Sequence, residues 1–136
     1  MTDAIASETT ERNKALLQEA YAQAAVGNGA FFVPLFAEDI AWTTIGSTRW
    51  SKTYHGIAEL RAMFARLYAL LEGKHLVLAE RFVAEGDFVV VQARAQSTTK
   101  AGQPYHNAYC IVHRLVDGKI KEVVEYCDTA LIAAVL

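Results

Sequence analysis

Cysteine is scarce in this chain. Cys110 and Cys127 are the only two in 136 residues, and both fall in segments that read as strands, where a small buried hydrophobe is the expected role. No Cys/His cluster has zinc spacing, so no metal is expected. Positive charge is not in excess: 13 Lys and Arg stand against 15 Asp and Glu, a net charge of −2. The electrostatic footprint of a nucleic-acid binder is therefore missing. No apolar run approaches the ~20 residues of a membrane span, so no membrane partner is expected. The opening MTDAIASETTERNK has neither a basic nor an apolar leader region, and a cytoplasmic location is expected. Glycine-rich phosphate loops and nucleophile motifs are missing too. Nucleotide chemistry, covalent catalysis and a bound cofactor are not expected.

What is present is apolar. Residues of this kind make up 53% of the chain, above a typical soluble domain, and the length suits one domain over residues 1–136. The excess points to surface buried around a ligand or in a subunit interface.

The segment SETTERNKALLQEAYAQAAVGNG carries a helical stripe at Leu16, Leu17, Ala20, Tyr21 and Ala24, with Thr9 or Thr10 as the expected cap and Gly27 and Gly29 as the stop. AFFVPLFAED predicts a short second helix with Pro34 near its first turn. DIAWTTIG reads as a strand. GIAELRAMFARLYALLEG is the clearest helix, with Ile57, Leu60, Met63, Phe64, Leu67 and Leu71 on one face. Four strand-like runs follow, separated by EGD, KAGQP and VDGK, and Asp117-Gly118 is the strongest hairpin signal. Helices first and an antiparallel meander afterwards predict an α+β domain.

In DFVVVQARAQSTT, Val89, Val91, Ala93 and Ala95 share one face; Phe88, Val90, Gln92, Arg94, Gln96 and Thr98 share the other. Neither reads as plainly solvated. One face is expected to cover the helices and the other a second copy of the chain, giving a homodimer through the outer sheet face.

The order LFAEDIAWTTIGS, EGDFVVVQARAQSTTKAGQPYHNAYCIVHR and VDGKIKEVVEYCDTALI resembles the SnoaL-like, ketosteroid-isomerase-like superfamily, also called nuclear transport factor two-like. The resemblance implies a cone-shaped curved antiparallel sheet wrapped around the N-terminal helices, a cystatin-like α+β barrel with a cavity. It does not imply one reaction, because function sits in the site and not in the fold. The base of steroid isomerases of this fold aligns with Thr44, which cannot serve, and their second acid falls near Cys110 or Ile111. The Asp-Arg-Asp arrangement of its epoxide hydrolases maps onto Asp128, Arg94 and Gln96, with Trp42 and Thr44 in place of the water-holding tyrosine and asparagine. Polyketide cyclases of the superfamily use an acid close to Asp128.

The residues leave alternatives open. Asp128 either caps the apolar tail ALIAAVL or faces a pocket that the tail helps to cover. Arg94 either orients Asp128 or lies outward at a dimer seam. Trp42 and Tyr126 are core aromatics or cavity lining. Across the Asp117-Gly118 turn Tyr109 pairs nearly opposite Tyr126, and a slip of one residue would reverse the face of Tyr109 and Asn107. His113 is either an inward acid–base group or one half of a pair with Glu122, and His55 and His75 are expected at exposed edges. Asp128 and Arg94 are thus the catalytic candidates, and Trp42, Thr44, Gln96, Tyr126, Tyr109 and His113 the substrate-binding candidates. The expected partner is a small hydrophobic molecule, handled by acid–base chemistry (isomerase, cyclase, dehydratase or epoxide-hydrolase type); the alternative is a ligand-binding or dimeric scaffold domain without catalysis.

Overall fold

The computed structural model describes residues 2–136. Helix α1 (Thr2–Ala24) begins well before Thr9 and Thr10, since no glycine or proline precedes them to stop it. The expected second helix is a 3-10 segment, Gly29–Leu35, with Pro34 inside it, and it passes directly into strand β1 (Phe36–Thr44). Strand β2 (Thr53–His55) leads to α2 (Gly56–Leu70). His55 makes no side-chain cap, but Glu59 Oε2 accepts its backbone N–H at 2.7 Å. Burial of Leu60, Met63 and Leu67 holds this helix. At about 1.5–3 kcal/mol per buried side chain, it outweighs the ~1 kcal/mol of a cap.

The remaining strands are β3 (Leu71–Glu72), β4 (Val77–Glu85), β5 (Phe88–Ala95), β6 (Ser97–Thr99), β7 (Pro104–Tyr105), β8 (Ala108–Val116) and β9 (Lys119–Cys127), and the short helix α3 (Thr129–Val135) follows. Six strands form one curved sheet in the order β2-β1-β9-β8-β5-β4, and β3-β6-β7 form a smaller one. The large sheet does not close, since β2 and β4 are its edges. The meander β4-β5-β8-β9 is antiparallel as the turns predict, but β1 joins β9 in parallel. Helix α1 lies over β4 and β5, and α2 over β1 and β2.

At the β8–β9 turn both Asp117 (φ 49°) and Gly118 (φ 76°) are left-handed, the conformation of a tight primed hairpin. The turn pairs Val116 with Lys119 and Leu115 with Ile120, and then the ladder shifts, because Arg114 faces Glu122. Lys121 is an extra residue, a β-bulge. It turns the next residues of β9 over. Ile120 and Val123 are both fully buried although three positions apart; regular alternation would set them on opposite faces.

Tyr21 of α1 and His113 of β8 tie the first helix to the sheet. The Tyr21 hydroxyl lies 3.0 Å from His113 Nε2, and His113 Nδ1 lies 3.0 Å from the Val89 carbonyl. The carbonyl can only accept, so Nδ1 carries the hydrogen and Nε2 accepts from Tyr21. Burial holds His113 neutral, with its pKa lowered to about 4. Tyr21→Phe leaves a buried acceptor without its donor. It is expected to cost about 1–3 kcal/mol in urea unfolding at pH 7; an unchanged midpoint would show that the bond carries no weight.

Candidate functional site

The inner face of the sheet, α2 and the 3-10 segment line a partly open cavity of about 340 Å³. One wall is aromatic. Tyr21 and Phe36 flank Phe32, and the rings continue from Phe36 through Trp42, Phe64, Tyr68 and His75 to Tyr105, with centroids 5.1–6.3 Å apart. Ile132 and Leu136 of the C-terminal segment also line it, so the tail forms part of the cover. Arg49 donates to the Leu136 carbonyl. At the base of this cover a Cβ on Gly46 (φ +118°) would sit 2.7 Å from Thr129 Cγ2, so the close approach of the β1–β2 loop to α3 requires glycine.

Glu125 is the acid of this cavity. It stands on β9 between Thr44 of β1 and Ile111 of β8, and all three line the cavity. Among the described residues, no hydrogen bond or ion pair reaches its carboxylate. Its surface is partly accessible because one side looks onto the cavity, while protein atoms crowd the rest. Burial without a compensating charge disfavours the ionised form, and its pKa is raised to about 7. Among the described residues, the buried indole N–H groups of Trp42 and Trp50, which line the same cavity, have no acceptor. Unpaired buried donors are rare in folded proteins and cost free energy unless a partner arrives.

A polar ridge runs along the same wall from Glu125. Tyr109 and Ile111 are inner-face neighbours on β8, and the Tyr109 hydroxyl lies 2.6 Å from that of Tyr105. Asn107, fully buried, donates Nδ2–H to the Tyr105 hydroxyl at 3.1 Å and to the Asp128 carbonyl at 3.3 Å, and its Oδ1 accepts the Asp128 N–H at 2.8 Å. Burial raises the Tyr105 pKa to about 12, against the lowering effect of its hydrogen bonds with Tyr109 and Asn107. Burial, and then the nearby Glu125, raise the Tyr109 pKa well above its ordinary value.

Of the residues singled out from sequence, Trp42, Thr44 and Tyr109 line the cavity. The others do not. Asp128 is exposed and caps α3, its Oδ1 accepting the Leu131 N–H at 3.2 Å; it is no cavity base. Arg94 does not approach Asp128. It points outward from β5 and pairs with Glu80 at 3.0 Å, with side chains 60% and 55% exposed, so water screens the pair. Gln96 is exposed beyond the end of β5. Tyr126 is 48% exposed because the bulge pairs it with Cys110, and Tyr109 faces Cys127 instead. His113 is inward but engaged by Tyr21 and Val89, and Glu122 pairs with Arg114 rather than with it. His75 is not exposed as expected: it is partly buried and lines the cavity, as do Glu125, Tyr105 and Trp50, which the sequence reading missed. The signal for Glu125 was present in Ile120 and Val123, whose odd spacing in a strand requires a bulge.

Among the described residues no three His, Cys, Asp or Glu side chains converge as metal ligands, and no helix is long and apolar enough to cross a membrane.

The model of the SnoaL-like domain family matches residues 17–123. No curated protein matches the chain. Among solved structures, a Xanthomonas campestris protein of unknown function with a cystatin-like fold is 22% identical, with 90% of this chain and 95% of that one covered at a TM-score of 0.79. A putative SnoaL-like polyketide cyclase from Jannaschia is 20% identical, covering 93% and 92% at 0.76. The structure of TerC co-crystallised with polyporic acid is 20% identical, covering 90% and 96% at 0.77. At these identities the likeness is one of fold.

The Glu125 carboxyl is expected to titrate near pH 7 by carbon NMR, with Glu125→Gln as the assignment control, while Asp128→Ala leaves that titration in place. A folded-state pKa above the unfolded value of 4.5 means that ionisation opposes folding. Glu125→Gln should therefore gain on the wild type as pH rises from about 4.5 to 7, levelling at about 3 kcal/mol. A flat difference across that window would disprove the desolvated carboxyl.

Proposed function

This chain belongs to the SnoaL-like family, and on that premise we propose that it binds a small, largely apolar molecule in its cavity and moves a proton on it with Glu125. The observation that carries this reading is an acid without a partner in an aromatic-walled cavity. Such a carboxyl is divided between its two forms at neutral pH, the condition under which one group both accepts and returns a proton. A salt-bridged carboxylate would stay ionised and be a weaker base. The likeness to a putative SnoaL-like polyketide cyclase is in keeping with an enzyme role, and that to TerC, co-crystallised with polyporic acid, with a small organic ligand.

The step conserves charge and electrons. A ligand C–H bond breaks, its proton goes to a Glu125 oxygen, and the electron pair stays on the ligand. Return of the proton to the same or another carbon completes an exchange or an isomerisation. Thr44, Trp42 and Tyr109 shape the cavity wall around the reacting carbon.

A suitable probe is 2-tetralone, a bicyclic ketone with an acidified C–H, incubated in D₂O and followed by proton NMR. The wild type is expected to accelerate deuterium exchange beside the carbonyl, with a rate that rises through about pH 7 as Glu125 loses its proton. Glu125→Gln should lower that rate by at least a hundredfold, within the usual range for a general base. Retained binding with no accelerated exchange would leave a ligand-binding domain without catalysis.

We propose also that a second copy covers the outer sheet face. There Val90, Val112 and Val124 form a half-buried row across β5, β8 and β9, flanked by exposed Phe88 and Tyr126. Sedimentation equilibrium should give a dimer for the wild type and a monomer for Val112→Lys; a monomeric wild type at tens of micromolar would end this proposal.

A further inference from the structure

A second pocket, of about 310 Å³, lies between the β1–β2 loop and the second half of α2, lined by Arg49, Trp50, Arg66, Ala69 and Leu70. Trp50 is buried and its backbone is fixed: its N–H donates to Thr48 Oγ1 at 3.1 Å, and its carbonyl accepts the Tyr54 hydroxyl at 2.8 Å. Two exposed guanidinium groups stand over its ring, Arg49 with Cζ 5.4 Å and Arg66 with Cζ 5.9 Å from the centroid. Lys52 Nζ stands 4.9 Å from the centroid of the neighbouring Tyr54 ring. Such ring contacts give each cation a preferred place, at about 0.5–1 kcal/mol on an exposed surface. The charges are unmatched. Residues 49–70 hold four cations, Arg49, Lys52, Arg61 and Arg66, against one acid, Glu59, in a chain of net charge −2. Glu59 is turned to α2, where it accepts the His55 N–H at 2.7 Å. Elsewhere Arg94, Arg114 and Lys121 pair with Glu80, Glu122 and Asp39. Among the described residues no Asp or Glu side chain pairs with Arg49, Lys52 or Arg66. Arg49 donates to the Leu136 carbonyl, which leaves most of the five N–H groups of its guanidinium free.

We propose that this pocket is a second binding site, one for a small organic oxyanion (a carboxylate or a phosphate ester) held by Arg49 and Arg66. Two like charges lining one pocket repel each other until an anion enters between them. The planar fork of a guanidinium matches two oxygens of a carboxylate or phosphate at once. Ala69 and Leu70 offer the pocket no polar side chain, so they suit the apolar body that carries the oxyanion. Lys52, a point charge beside the pair, adds to the field that draws the anion in. The site is distinct from the Glu125 cavity, since Trp50 is the single residue that lines both. It does not depend on the proton-transfer reading, and a ligand of opposite character is expected there: charged where the cavity is apolar.

Calorimetric titration at pH 7 and low salt tests this with three probes of similar shape: naphthalene-2-carboxylate, 2-naphthyl phosphate and the uncharged 2-naphthalenemethanol. At least one of the two anions should bind, and more tightly than the alcohol; which of them binds better tells a carboxylate site from a phosphate site. Arg66→Gln should weaken that binding about tenfold, the size of one charge-assisted hydrogen bond. Arg66→Lys, which keeps the charge but not the fork, should recover only part of it. Arg49→Gln should act in the same direction, but it also frees the Leu136 carbonyl, so the Arg66 variants decide. Glu125→Gln should bind the anion as the wild type does. Binding that ignores Arg66→Gln, or that changes more with Glu125→Gln, belongs to another site and overturns the proposal. So does an alcohol that binds as tightly as the anions, or the failure of both anions to bind at millimolar concentration.

Discussion

One extra residue in β9 decides what this cavity contains. Without Lys121 the ladder from the Asp117-Gly118 turn would run unbroken, with Ile111 opposite Val124 and Tyr109 opposite Tyr126. The bulge moves each partner by one, so that Ile111 meets Glu125 and Tyr109 meets Cys127. Because side chains alternate, that single step reverses the whole remainder of the strand. An aliphatic and a tyrosine go to the outer face, and a carboxyl comes in. The rest of the site follows from it: the acid lies between Thr44 on one side and Ile111 on the other, in the cavity that the aromatic wall lines.

Bringing a carboxyl inside works against folding, and among the described residues no hydrogen bond or ion pair offsets the lost hydration. The protein tolerates it because the sheet is held elsewhere. Val89, Val91, Ala95, Ile120 and Val123 are fully buried, and at roughly 1.5–3 kcal/mol for each larger side chain their burial exceeds the penalty of one titrating acid. His113 differs in kind. It is more fully buried and both ring nitrogens are engaged, so it acts as a structural joint, while among the described residues no hydrogen bond or ion pair reaches the Glu125 carboxylate.

Much of the fold was legible in the chain. The α2 stripe, the Asp117-Gly118 hairpin and the inward face of β5 follow from local periodicity and turn chemistry, which act over a few residues. The parallel pairing of β1 with β9 does not, since no local rule places two distant strands side by side. The site was read less well for the same reason. A uniform alternation carried from the turn would set Tyr126 inward and Glu125 outward, and the bulge at Lys121 lies between the turn and both. Asp128 drew attention as an acid at a strand end, where capping and catalysis use the same residue type; the α3 backbone N–H settles it as a cap. His75 sits in a connecting segment whose burial depends on how α2 and β6 close around it, and spacing carries no trace of that.

The strand order has a consequence for how the molecule is made. β9 lies between β1 and β8 in the large sheet, so the β1–β2 pair has no route into that sheet until a strand synthesised much later arrives. During synthesis β1 and β2 must wait, with Ile40 and Trp42 uncovered on the side that β9 will complete. Long-range closure of this kind is slow compared with hairpin formation. The meander from β4 to β9 therefore has a head start, and the chamber that holds Glu125 is among the last features of the molecule to exist.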